Sequence, residues 1–308
     1  MSESRRYAYY PGCSSAGTAM EYDMSSRAIC AALDVILEDI PDWSCCGSTP
    51  AHTVDHSLSA ALSARNLNQV AAMGMNLTVT TCPSCLSNLK TARYKMRDEV
   101  FRKKVDKLLG EPANLGVDTK SILQILVEDV GLERIRKKVI RPLTGLTVAA
   151  YYGCILNRPP EVMNFDDCEH PMAMDHILEA LGATVVPFPL KVECCGASFG
   201  IPRRDVVMRL SGKLLETAES IGAMALVAAC PLCQMNLDMR QEQINSFTGS
   251  NHNIPIFYFT QLMGLAFGLP EKEMGIDKLC VNPRKVIDAI GWPVVPELSS
   301  GHSDYVKE

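Results

Sequence analysis

The sequence predicts an α/β protein made of two tandem, pseudo-symmetric halves, each a small β-α-β-α-β-α unit with parallel strands. Three observations predict this. A five-cysteine pattern occurs twice, as Cys13, Cys45-Cys46, Cys82 and Cys85, then as Cys154, Cys194-Cys195, Cys230 and Cys233. Equivalent cysteines are separated by 141, 149, 149, 148 and 148 residues. The likeness also extends past the cysteines, and both halves run through the same order of short apolar and longer helical segments.

The repeat pairs Tyr9-Tyr10-Pro11-Gly12-Cys13 with Ala150-Tyr151-Tyr152-Gly153-Cys154, and 78–89 (TVTTCPSCLSNL) with 226–237 (LVAACPLCQMNL). Further on, 122–132 (ILQILVEDVGL) aligns with 259–269 (FTQLMGLAFGL), so the second half is a shortened copy down to a terminal helix. Two copies make a tandem duplication, not a solenoid.

In order, 6–10 reads as a strand ending at the Gly12-Cys13 turn, 23–33 as a helix, and 35–37 as a strand leading to Cys45-Cys46-Gly47. Residues 57–73 are rich in Ala, Leu and Asn and read as a helix stopped by Gly74. Residues 77–81 form a buried strand that delivers Cys82, and a helix runs from 88. The second half repeats this at 147–152, 172–181, 184–186, 204–221 and 225–229. The expected domains are 1–143, with a helical extension, and 144–308, with a C-terminal tail. The segment 90–141 interleaves Lys and Arg with Asp and Glu, which reads most simply as a solvated helix face; its extra length over the second copy also suits a docking partner. The cysteines fall at strand C-termini, the edge where open α/β sheets bind ligands.

Composition bounds the function. The apolar fraction is 47%, enough for two cored domains in 308 residues. No basic start followed by an apolar run is present, so no secretory signal is expected. No apolar run nears the ~18 residues of a membrane span. Thirteen cysteines in so core-rich a chain point to metal or redox use in a reducing, cytoplasmic setting rather than to disulfides. The net charge of −5 counts thiols as neutral. Ten thiolates around two cores of roughly +2 each would make it about six units more negative. With no basic tract, nucleic acid is not an expected partner.

Five thiolates exceed the needs of one tetrahedral zinc or one ordinary four-cysteine cluster. Adjacent cysteines suit an opened cluster better than separate corners of a cube. The Cys82-Pro83-Ser84-Cys85 turn stands at a strand-to-helix junction, where free N–H groups favour thiolate, and Pro83 fits the first helical turn. Gly47 and Gly196 are expected to let the backbone approach a cluster and to offer N–H groups to sulfur.

These residues resemble the cysteine-rich CCG-domain family, and most closely the B-type subunits of heterodisulfide reductases within it. The resemblance rests on the CCG triplets at 45–47 and 194–196, the Gly-Cys pairs at 12–13 and 153–154, and the two CPxC turns, and it spans roughly residues 7–270. It implies two noncubane 4Fe–4S clusters, one on Cys13, Cys45, Cys46, Cys82 and Cys85, the other on Cys154, Cys194, Cys195, Cys230 and Cys233. Together they would cleave a disulfide. No G-x-G-x-x-G opens a helix here, so electrons are expected to arrive from elsewhere, and the resemblance implies two partners, a ferredoxin-like iron–sulfur subunit and a flavin subunit beyond it. The substrate of the methanogen members is an anionic disulfide, and Lys191, Arg203 and Arg204 beside the second CCG triplet are candidate anion ligands. The plainer reading makes the arginines solvated residues of the next helix.

Cys30, Cys168 and Cys280 fall outside the pattern and read as structural. His52 and His56 follow the first triplet, where either could donate a proton or simply cap a helix; His170, His176, His252 and His302 carry no signal. Two functional alternatives stay open. One is an electron-transfer subunit of a quinone-linked or sulfur-oxidising oxidoreductase, the other a zinc scaffold. The sequence leaves the disulfide or thiol and the reaction direction open.

Overall fold

The computed structural model describes residues 5–48 and 50–291. The first half runs β1 (Arg5–Tyr9), α1 (Met20–Ala32), β2 (Val35–Asp39), α2 (His56–Ala72), β3 (Leu77–Thr80), α3 (Pro83–Lys95), α4 (Glu99–Leu109), β4 (Asp118–Ser121) and α5 (Ile122–Ile125). The second runs β5 (Thr147–Tyr151), α6 (Ala173–Ala180), β6 (Thr184–Val185), α7 (Arg204–Ser220), β7 (Ala225–Ala228), α8 (Pro231–Leu237), β8 (Ile256–Tyr258) and α9 (Phe259–Ala266). Each half carries a parallel sheet, ordered β2-β1-β3-β4 and β6-β5-β7-β8. Each sheet therefore has four strands, one more than expected from the sequence, because β4 and β8 add at the edge beside β3 and β7.

The central strands of the second sheet are buried, as parallel strands covered by helices must be: all of β7 and nearly all of β5 are buried. Local signals set the helix ends. Asp55 caps α2 through the N–H groups of Ser57 and Leu58. Asp98 caps α4, and Gly110 ends it in the left-handed region at φ 77°.

The halves share one core. It includes Tyr22 and Ile29 of α1, Leu123 of α5, Ile177 of α6 and Leu262 of α9. Helix α1 packs on α9, and reciprocally α6 packs on α5, so each half is covered by the other's terminal helix in a pseudo-twofold manner. Tyr22 stacks on Tyr258 with ring centres 4.0 Å apart, a contact worth about 0.5–1.5 kcal/mol beyond its buried area. Ser25 and Thr260 share a buried hydroxyl hydrogen bond of 2.7 Å, and Lys90 Nζ donates to the Met163 carbonyl at 2.7 Å. These joints fix the two C-terminal sheet edges, and so the cysteines, relative to one another.

Candidate functional site: two five-cysteine sets

Each set assembles from three loops at the C-terminal edge of its sheet. Cys13 follows β1 in a single helical turn (Gly12–Ser15). Gly12 has φ +69°, and a Cβ there would lie 3.1 Å from Cys85 Sγ; Gly153, at φ +74°, would place one 2.9 Å from Cys233 Sγ. Only glycine fits that backbone and that approach. Cys82 and Cys230 are the residues before α3 and α8, each followed by proline in the first turn as expected.

In the first half Cys46 Sγ lies 3.5 Å from Cys85 Sγ, and Cys85 also bonds Cys82. Cys13 feels the charges of Cys45, Cys82 and Cys46. In the second half Cys195 Sγ lies 3.6 Å from Cys233 Sγ, Cys233 bonds Cys230, and Cys154 bonds Cys194. A disulfide needs about 2.05 Å, so these are neighbouring thiols, and all thirteen cysteines are free.

The thiols divide into proton holders and incipient thiolates. A hydrogen bond from Cys85 lowers Cys82 to about 7. A bond from Cys154 lowers Cys194 to about 6, and one from Cys233 lowers Cys195 to about 7. The donors Cys85, Cys154 and Cys233 are pushed well up in exchange, and burial raises Cys13. Five sulfurs so placed cannot all ionise without a cation among them, and all would ionise around iron. The donor set therefore fits an iron–sulfur centre.

Main-chain N–H groups point at the sulfurs: Gly47 N lies 3.4 Å from Cys45 Sγ, Gly196 N 3.3 Å from Cys194 Sγ and Ala197 N 3.4 Å from Cys195 Sγ. The expected N–H donors are thus present. The close approach at these two glycines is a different one: a Cβ on Gly47 would strike the Ser59 backbone at 3.0 Å, and one on Gly196 would strike Val207 at 2.8 Å. The glycines let the loop sit on a helix, not on the sulfurs.

A surrounding layer that the cysteine pattern alone does not reveal repeats in both halves. Tyr10 and Tyr151 hydroxyls donate to the carbonyls of Ser44 (2.7 Å) and Glu193 (2.8 Å), just before each cysteine pair. Ser63 and Ser211 donate to the carbonyls of Cys46 (2.8 Å) and Cys195 (2.9 Å). Asn88 and Asn236 reach the same segments from α3 and α8. All three pairs keep the offsets of the cysteines, and that register was the signal that could have found them.

A cavity of about 230 Å³ adjoins the first set, lined by Ser48, His52, Ser84, Asn88, Lys95 and, from the other half, Ile155. Ser48 and Ser84 neighbour cysteines of the first set, and Ile155 follows Cys154. The structure thus brings neighbours of both sets to one polar cavity. His52, whose ring meets His56 edge-on at 4.7 Å, faces it.

The basic residues singled out by sequence lie elsewhere. Lys191 Nζ is buried, 2.7 Å from the Pro171 carbonyl and 2.9 Å from Asp175 Oδ1, so its charge is paired within the second half. Its carbonyl accepts from Tyr152 N and Gly153 N, which places Lys191 as a strut beneath Cys154. Arg203 and Arg204 are exposed at the start of α7, with Arg203 paired to Asp205. The three do not converge on the cavity. Cys30 is buried, which pushes its thiol up to about 12; His252 pairs with Glu219, and His302 lies outside the described residues.

The cysteine-rich CCG domain matches residues 7–90 and 148–238, each match enclosing one full set. The chain belongs to the CCG cysteine-rich domain family. It is 35% identical over 286 residues (92% of this chain, 99% of the relative) to the 8-methylmenaquinol:fumarate reductase membrane anchor subunit of Wolinella succinogenes. It is 32% identical over 295 residues (92% and 96%) to the heterodisulfide reductase B-subunit-like protein of Archaeoglobus profundus. Over 257 residues (81% and 85%) it is 28% identical to the B-type subunit of the ferredoxin/F(420)H(2)-dependent CoB-CoM heterodisulfide reductase of Methanosarcina acetivorans. In fold it is similar to a hypothetical protein from Helicobacter pylori, with a TM-score of 0.70 at 12% identity, covering 91% of this chain and 52% of that one. Its relatives are subunits of oxidoreductase complexes. Although one is named a membrane anchor, no helix among the described residues of this chain is long and apolar enough to cross a membrane.

Proposed function

We propose that the chain is the catalytic subunit of a heterodisulfide-reductase-type complex, reducing a disulfide to two thiols or running the reverse reaction. Cys13, Cys45, Cys46, Cys82 and Cys85 would hold one noncubane 4Fe–4S cluster, and Cys154, Cys194, Cys195, Cys230 and Cys233 the other, with the halves divided near 143–144. Bound there, the clusters supply one-electron steps and iron sites for sulfur. The reaction takes two electrons and two protons per S–S bond, so two one-electron centres beside one substrate meet the need. Electrons would come from a ferredoxin-like subunit, itself supplied by a flavin subunit. Thirteen free thiols support a reducing, cytoplasmic setting.

The observation that carries this reading is the polar cavity lined both by Ser84, which lies between Cys82 and Cys85 in the chain, and by Ile155, which follows Cys154. Lys95, with no ion-pair partner among the described residues, is its cation, and His52 its candidate proton donor. The roles expected of Lys191, Arg203 and Arg204 pass to these two. Similarity to a methylmenaquinol:fumarate reductase subunit favours a second reading, an electron-transfer subunit serving a quinone. Serine, asparagine, histidine and lysine suit a small anionic thiol or disulfide better than a quinone ring and its apolar tail. Anaerobic assay of the loaded chain with an anionic disulfide and a reduced viologen tests this. Turnover is expected, with KM raised about tenfold or more by Lys95→Gln. Oxidation of a menaquinol analogue without disulfide cleavage would assign the second reading.

A further inference from the structure

We propose that the Asn236 side-chain amide tunes the second cysteine set electronically, and that its repeat counterpart Asn88 does not do so for the first. This rests on the reading that both sets hold iron–sulfur centres. Asn236 is fully buried on α8, one turn beyond Cys233, and its Nδ2 lies 3.5 Å from Cys195 Sγ and 3.0 Å from the Ala197 carbonyl. Asn88 holds the same place on α3, yet its Nδ2 donates to the Cys46 carbonyl, Ser59 Oγ (3.2 Å) and Ser63 Oγ (3.0 Å).

One residue accounts for the difference. Ser63 and Ser211 are equivalent and both bind the cysteine carbonyl, so they do not distinguish the halves. Ser59 and Val207 are equivalent too, 148 residues apart, and each is what a Cβ on the CCG glycine would strike. Ser59 offers Asn88 a hydroxyl and draws the amide away from the sulfur. Val207 offers none, and Asn236 turns to Cys195. Main-chain donors do not differ in this way, because a backbone N–H reaches the sulfur in both halves, from Ser48 to Cys46 and from Ala197 to Cys195.

An N–H donor stabilises negative charge on a cysteine sulfur, and so favours the state of the bound centre that carries one more electron. Asn236 should therefore raise the reduction potential of the second site.

The test is an anaerobic redox titration of the reconstituted full-length chain followed by EPR. Signals are assigned to sites with the Cys46→Ser and Cys195→Ser variants. Asn236→Leu is expected to lower the second site's midpoint, while Asn88→Leu leaves the first site's midpoint in place. Val207→Ser, which keeps the asparagine, is expected to lower the second midpoint also, and Ser59→Val to raise the first; these two decide the matter should Asn236→Leu fail to fold. Unmoved midpoints in Asn236→Leu or Val207→Ser, or equal shifts in Asn236→Leu and Asn88→Leu, overturn the proposal. A wild-type chain that assembles no iron–sulfur centre refutes the underlying functional reading instead.

Discussion

Lys191→Met should destabilise the protein without touching substrate recognition. The ammonium sits 2.9 Å from Asp175 Oδ1, with side chains only 11% and 6% exposed. The other carboxylate oxygen accepts from Tyr152 at 2.6 Å. Removing the lysine leaves a buried carboxylate held by one hydroxyl, and breaking such a pair costs about 3–5 kcal/mol. With an unfolding entropy near 2.1 cal/mol/K per residue over 308 residues, the thermal midpoint should fall by roughly 5–8 °C. Removing both charges should cost less than removing one, so Lys191→Met with Asp175→Leu should recover much of the loss. Differential scanning calorimetry of the anaerobic protein reads all of these. An unchanged midpoint in Lys191→Met, accompanied by a raised KM for an anionic disulfide, would show that the buried pair does not stabilise the fold and would return Lys191 to the substrate site.

Two further outcomes are expected. Cys46→Ser or Cys195→Ser should halve the iron and labile sulfide while the other half stays loaded, because each set closes within its own sheet and serine is a poorer ligand to iron; loss of both centres from either change would show that they assemble together. Glu21→Gln should stabilise the protein more at pH 8 than at pH 5, because burial raises the Glu21 carboxyl. A raised folded-state pKa adds no penalty below the unfolded value of about 4.3; the penalty grows as pH rises from there to the folded value and stays full above it. Destabilisation at pH 8 would mean that the charge is well paired, with Lys278 the nearby cation.

The cysteine register, the duplication and three strands of each sheet were legible because each leaves a local mark: a rare residue at fixed spacing, or an apolar run ending in a turn. The fourth strands left none. Asp118-Thr119-Lys120-Ser121 is polar throughout and becomes a strand only by pairing with Leu77–Thr80, while Ile256–Tyr258 is too short to separate from the helix after it. Lys191 looked like a ligand because it stands near Cys194 in the chain; its true partner, Asp175, is fixed by tertiary packing. The approach of Ile155 to the cavity that Lys95 lines depends on how the halves pair, and a pattern within one half cannot reveal it. The supporting Tyr, Ser and Asn pairs are common residue types, visible only once the offset of the cysteines is applied to everything else.

Iron, zinc and acid-labile sulfide analysis of the anaerobically purified chain tests whether each five-cysteine set holds an iron–sulfur centre. About eight irons and eight sulfides per chain are expected, from two four-iron clusters. Stoichiometric zinc without labile sulfide, after reconstitution under reducing conditions, would contradict it.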